Sequence, residues 1–135
     1  MENYVLDTSA ILTLREDEPG AAFVEGLLRK TLTRKAKVYA SFMSFMEVLY
    51  CSWRAEGREV AHRTFLELKM LPIHRVDVSE SILFCAGEIK GTYSLSLADS
   101  WIAATAIDKN AVLVHKDPEF EPLKDRLVLK GLPYK

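Results

Sequence analysis

The sequence predicts an α/β fold in which helices cover both faces of a mainly parallel sheet. Two observations carry that expectation: short apolar runs rich in strand formers alternate with helix-periodic segments, and acidic residues recur where those runs or the following caps stand. Strands separated by helices are joined by right-handed crossovers, which makes three layers, α/β/α, around about four to five strands.

Residues 3–6 form the first apolar run, and Asp7-Thr8-Ser9 follows at once, ahead of the helical pattern Ala10, Ile11, Leu14. The local reading is strand, acid, helix. Residues 16–20, EDEPG, make a turn, and residues 21–35 resume as an amphipathic helix with Phe23, Leu27, Leu28 and Leu32 on one face. Its far end is basic, with Arg29, Lys30, Arg34, Lys35 and Lys37. Those charges either complement the helix dipole as a solvated face or contact RNA phosphates. Residues 38–42 read as a second strand, and Ser44 and Glu47, at capping-box spacing, open a helix that runs to about residue 55. Gly57 breaks it. A further helix over residues 60–71 ends at Pro72, a third strand covers 73–78, and Ser79 caps a helix through Ile82, Leu83, Ala86 and Ile89.

The stretch 95–109, LSLADSWIAATAIDK, is the centre of the pattern. Ser96 can cap a helix there, Ile102, Ala103, Ala106 and Ile107 give a buried stripe, and the many alanines allow close approach to a sheet. Asp99 then lies in the first helical turn. Residues 111–114 are a fourth strand ending in His115-Lys116-Asp117-Pro118, and residues 127–129 a short fifth.

At 135 residues and 49% hydrophobic, the chain is expected to be a single domain over 1–135 with its own core. Cys51 and Cys85 are isolated thiols without a CxxC or a histidine at ligand spacing, which argues against a zinc site or a disulfide framework. The start, MENYVLD, has no basic region ahead of an apolar one, and no uncharged apolar run reaches the ~18 residues of a membrane span. A cytoplasmic protein without membrane attachment is expected. A net charge of −1 excludes nucleic-acid binding by bulk positive charge, though not by local patches.

In open parallel sheets, sites form outside the carboxyl ends of the strands. Asp7 and Asp117 follow predicted strands, and Glu47 and Asp99 lie in first turns of helices starting at the same edge. Each has a bland reading: Asp7 as an N-cap, Glu47 and Asp99 as capping partners of Ser44 and Ser96, and Asp117 as a turn residue before Pro118. Together, four converging anions repel unless a cation sits between them, and oxygen ligands without Cys or His select Mg²⁺ or Mn²⁺. Such ions bind a scissile phosphate, acidify water and stabilise the leaving oxygen in phosphodiester hydrolysis.

The segments VLDTSAIL (5–12), SFMEVL (44–49), LSLADSWIAATA (95–106) and VLVHKDPEFEPL (112–123), taken in this order, resemble the PIN-domain family. In size and motif set the chain looks like the VapC-type toxin ribonucleases of toxin–antitoxin pairs. The resemblance implies a three-layer PIN fold and a Mg²⁺- or Mn²⁺-dependent endoribonuclease site made by Asp7, Glu47, Asp99 and Asp117 as catalytic and metal-binding residues. Thr8 and Ser9 match hydroxyl positions that orient the first carboxylate or a water. It also implies an RNA substrate, a homodimer and a cognate VapB-like antitoxin whose tail covers an apolar groove and the acid site; Ile11, Leu12 and Leu14 are open to a role as the groove wall or, equally, to core packing. Two places depart from the pattern: Ser100-Trp101 after Asp99, and His115-Lys116 before Asp117, where small polar residues are expected. His115 is open to a structural role or to proton shuttling, and Lys116 to solvent or to a phosphate. Glu119 and Glu121 are open to solvent or to an outer approach to the metal. The alternatives are a housekeeping PIN nuclease or a PIN-fold module that binds RNA or protein without cutting. A haloacid-dehalogenase phosphatase is disfavoured, because Ser9 stands where its second nucleophile-loop aspartate belongs.

Overall fold

The computed structural model describes residues 1–134 and contains a five-stranded, fully parallel sheet in the order β3-β2-β1-β4-β5. The strands are β1 (Glu2–Leu6), β2 (Ala36–Ser41), β3 (His74–Val76), β4 (Val112–His115) and β5 (Leu129–Gly131). Between them run α1 (Thr8–Arg15), α2 (Ala21–Leu32), α3 (Phe42–Glu56), α4 (Arg58–Met70), α5 (Glu80–Thr92) and α6 (Leu97–Asp108), with a 3-10 helix at Pro118–Leu123 after β4. This is the three-layer α/β/α architecture expected from the alternation of runs.

Each face of the sheet seals its own core. Leu6, Val38, Ala40 and Val114 pack with Ala10, Ile11, Val24, Leu27, Phe45, Val48 and Leu68 from α1 to α4. Val5, Val76 and Leu113 pack on the other face with Ile82, Ala86 and Ile89 of α5, with α6, and with Phe120 and Leu123. Successive strand residues such as Val5 and Leu6 serve opposite cores, as a period of two requires. Helix α6 is buried on nearly every side, Ser100 and Ile102 to Ala106 all being inaccessible. Its alanines are what let it lie so close to the strands.

Boundaries differ from the sequence expectation where tertiary pairing outweighs local pattern. Strand β2 starts at Ala36 because Glu2 pairs with Ala36 and Tyr4 with Val38, and α2 stops at Leu32, before Arg34 takes a φ of 58°. Helix α3 begins at Phe42, capped by the Ser41 hydroxyl on Met43 N at 3.1 Å, so Ser44 is no cap and Glu47 lies in the second turn. Ser44 instead turns inward and is fully buried. Strand β3 pairs over only three residues against β2.

Gly20 precedes α2 with φ +103°, and a Cβ there would stand 3.1 Å from Leu132 Cβ and 3.3 Å from Pro133 Cδ. Backbone conformation and space both demand glycine. Gly20→Ala is expected to destabilise by more than about 1 kcal/mol, read as a melting midpoint at least about 2 °C lower.

Candidate active site

The strand order reverses between β1 and β4, so the connections leaving them diverge and leave a crevice at their carboxyl ends. The two strands are in register as neighbours, Leu6 opposite Val114, and Asp7 N donates to Val114 O at 2.9 Å. Asp7 leaves β1 into that crevice, and Asp117 enters it two residues after β4 ends.

Asp7 is 4% exposed and caps α1: Ser9 N donates to its Oδ2 at 3.1 Å, and the Ser9 hydroxyl donates to the same oxygen. Ser9 Oγ also accepts from Lys116 N at 3.0 Å, which ties the start of α1 to the segment after β4. Thr8 Oγ1 donates to Glu47 Oε1 at 2.7 Å and lies 3.0 Å from Ser44 Oγ. Thr8 and Ser9 thus each hold one of the expected carboxylates. Ser96 caps α6 by accepting from Asp99 N at 3.1 Å, which sets Asp99 in the first turn, where the sequence places it. Asp117, extended because Pro118 follows it, caps the 3-10 helix by accepting from Glu119 N at 2.9 Å.

Asp99, Asp117 and Glu119 each offer a carboxylate oxygen, and these atoms lie within 4.8 Å of one another. Asp7 is close enough to raise the Asp99 pKa, and Glu47 and Asp117 in turn raise that of Asp7. Burial is the largest cause in both groups. It holds Asp7 at about 6 against the lowering by its Ser9 hydrogen bonds, and Asp99 at about 8 with the charge of Asp7, a hydrogen bond with Glu119 and the charge of Asp117 adding to it. None of the ion pairs among the described residues involves these five acids. Lys116, beside them in sequence, pairs with Glu18 at 3.4 Å. The donor set is all oxygen, and no ion pair with a cation of the described residues offsets its negative charge. That chemistry fits a hard divalent cation and not zinc.

The four acids expected from the sequence all reach this edge, but the compact trio contains Glu119, while Glu47 lies outside it, near enough to Asp7 to raise its pKa. The sequence alone leaves Glu119 open between solvent and metal. The signal for it is Asp-Pro-Glu: an aspartate caps a turn begun by proline and brings the side chain two residues on beside its own. Glu121 is exposed. His115 is buried, which lowers its imidazole pKa, and its Nδ1 accepts from Asp117 N at 3.0 Å. Trp101 packs edge-on against Phe42 at 5.3 Å between centroids, a structural contact. The basic residues from Arg29 to Lys37 lie where α2 ends and β2 begins, the opposite edge of the sheet, and two of them are paired, Arg29 with Glu25 and Lys30 with Glu2. Of the suggested groove wall, Ile11 belongs to the core and with Leu14 borders a cavity of about 270 Å³, while Leu12 borders one of about 340 Å³ with Ser9, Arg15, Cys51 and Lys116.

An open parallel sheet that gathers carboxylates at its switch point defines a class of α/β proteins whose site lies beyond the carboxyl ends of the strands. The chain belongs to the PIN domain family, whose profile matches residues 4–125. Among solved structures it is similar to VapBC2 from Rickettsia felis bound to a DNA fragment from their promoter, with TM-score 0.75 and 20% identity, covering 97% of this chain and 99% of that one. It is also similar to VapBC-1 from nontypeable Haemophilus influenzae, with TM-score 0.74, 22% identity and coverage of 96% and 97%. Mycobacterium tuberculosis VapC20, a Sarcin-Ricin loop cleaving toxin, aligns with TM-score 0.67 and 15% identity over 88% of this chain and 93% of that one. No curated protein matches the chain in sequence. No helix of the described residues is long and apolar enough to cross a membrane.

Proposed function

We propose that residues 1–135 act as one PIN domain, a metal-dependent endoribonuclease that hydrolyses RNA phosphodiester bonds and serves as the toxin of a VapBC-like toxin–antitoxin pair. The observation that carries this reading is the meeting of Asp7, Asp99 and Asp117 at the sheet's switch point, flanked by Glu47 and Glu119, with the neighbouring Lys116 paired to Glu18 instead. The Sarcin-Ricin loop cleaving toxin and a toxin-antitoxin complex from Klebsiella pneumoniae, which share the fold, support it.

Asp99, Asp117 and Glu119, with Asp7 and Glu47 beside them, would hold Mg²⁺ or Mn²⁺. Such a cation supplies Lewis acidity, offsetting phosphate charge and making water more acidic. The protein's own residues prepare the centre. Ser9 directs two donors at one oxygen of Asp7 and so fixes the rotation of that carboxylate, and Thr8 does the same for Glu47 with one. Without a cation this rim repels RNA phosphates, so substrate binding is expected to require one. The cleft bordered by Ser9, Leu12 and Lys116 is the place we assign to the antitoxin segment. The homodimer implied by the family is expected by sedimentation of the purified chain.

The deciding experiment is incubation of total cellular RNA with the purified protein and Mg²⁺ or Mn²⁺, beside EDTA and Asp99→Asn controls. Discrete fragments that vanish in both controls carry the proposal. Intact RNA that is bound equally by wild type and variant makes the chain a non-cutting PIN module. Cleavage with no growth arrest on expression, and no antitoxin that suppresses it, makes it a housekeeping nuclease. Glu119→Gln is expected to weaken Mn²⁺ binding at least ~tenfold by calorimetric titration while leaving the circular dichroism spectrum unchanged. Unchanged affinity places Glu119 outside the centre.

A further inference from the structure

The turn that presents Asp117 is held by a side chain that the acid centre itself does not use. His115 closes β4 at 4% exposure, its ring edge-on to Phe120 with centroids 5.3 Å apart, and Phe120 is fully buried. Its backbone carbonyl accepts from Leu132 N at 2.7 Å, so ring and backbone are both anchored. Asp117 N donates to His115 Nδ1 at 3.0 Å, which requires Nδ1 to be bare and places the imidazole proton on Nε2. Nε2 has no hydrogen-bond partner among the described residues. A buried donor left unmade destabilises the fold, and a phenylalanine would fill the same slot without carrying that donor. What the imidazole contributes is therefore the acceptor.

That acceptor stands at the bend where the chain changes course. Lys116 N donates to Ser9 Oγ, Asp117 N to His115 Nδ1 and Glu119 N to Asp117 Oδ1, while Pro118 has no N–H to give. Every amide from 116 to 119 that can donate is engaged, and the three bonds set the direction of the acids that follow β4. We propose that His115 is a positioning residue: by accepting the Asp117 amide on Nδ1 it sets the bend that turns Asp117 and Glu119 toward Asp99. Its effect on cleavage rests on the nuclease reading, whereas the hydrogen bond does not.

The test separates ring from acceptor with two substitutions. His115→Phe keeps the ring and removes the acceptor, and His115→Asn removes the ring but keeps an acceptor the same number of bonds from Cα. In wild type, ¹⁵N spectra of the imidazole are expected to show Nδ1 unprotonated and Nε2 protonated, with the Asp117 amide protected from exchange. His115→Phe is expected to fold, to lose that protection and to bind Mn²⁺ at least ~tenfold more weakly. His115→Asn is expected to keep the protection and to bind Mn²⁺ more tightly than His115→Phe, despite the space left by the ring. A protonated Nδ1 in wild type, a His115→Phe protein with native Asp117 protection and Mn²⁺ affinity, or equal Mn²⁺ affinities of the two variants each overturns the proposal. If wild type neither binds Mn²⁺ nor cuts RNA, the nuclease reading falls, and the imidazole tautomer and the Asp117 amide still decide the role of His115.

Discussion

Asp99→Asn is expected to abolish RNA cleavage and, in the same protein without metal at about pH 8 and above, where the Asp99 carboxyl loses its proton, to raise the melting midpoint. Asp99 faces Asp7, Asp117 and Glu119 from the first turn of α6, and burial with those neighbours holds its carboxyl at about 8. An amide has nearly the same shape, keeps the helix cap made by Ser96, and ends the repulsion. It also removes an anionic oxygen from the group best placed to hold a cation. We expect kcat/KM to fall on the order of 10³-fold, about 4 kcal/mol of transition-state stabilisation, and the metal-free midpoint to rise by a few degrees. The opposite directions matter. A variant that loses both activity and stability has been damaged in its fold, and one that keeps cleavage removes Asp99 from the chemistry.

The metal-free protein is expected to lose stability between about pH 5 and pH 8, and a divalent cation to restore it at the upper end. Asp7 and Asp99 have folded pKa values of about 6 and about 8 against the ordinary aspartate value of 3.8. Between those limits the folded state binds more protons than the unfolded chain. Stability then falls as pH rises through the folded pKa values. Asp7 alone, fully enclosed, accounts for at most about 3 kcal/mol of that loss, since each tenfold change in proton affinity is worth about 1.4 kcal/mol. Denaturant melts in EDTA at about pH 5, 6.5 and 8 read the loss directly. With saturating Mg²⁺ the pH dependence should flatten, because the cation replaces the proton as the counter-charge to the acids. A metal-free protein equally stable at both ends of that range, with no gain from Mg²⁺, means that the acids carry no uncompensated charge.

Element order and the placement of the acids at element ends were legible in the sequence because both are local. A strand-forming run that ends at Asp7, a cap at Ser96 three residues before Asp99, and a proline after Asp117 each act over a few residues, and backbone sterics with nearby hydrogen bonds decide them. The alternation of runs and helices likewise contained the three layers, since each amphipathic face needs a partner to bury it. The cap expected at Ser44 does not form, because a distant pairing overrides the local pattern. Strand β2 extends through Ser41 by pairing with β3, so α3 starts before Ser44, and Ser44 is left to meet Thr8 from α1.

Tertiary structure alone decided that β1 neighbours β4. Nothing in either strand's own pattern names its partner, because an inward valine packs equally well beside any parallel strand. That pairing brings Asp7 and Asp117, 110 positions apart in the sequence, to one crevice, and it lets Ser9 bridge them through Lys116 N. The inclusion of Glu119 in the acid trio and the use of a buried histidine nitrogen to hold the bend before it are of the same kind. A side chain's direction depends on what packs around it, and those neighbours come from distant parts of the chain.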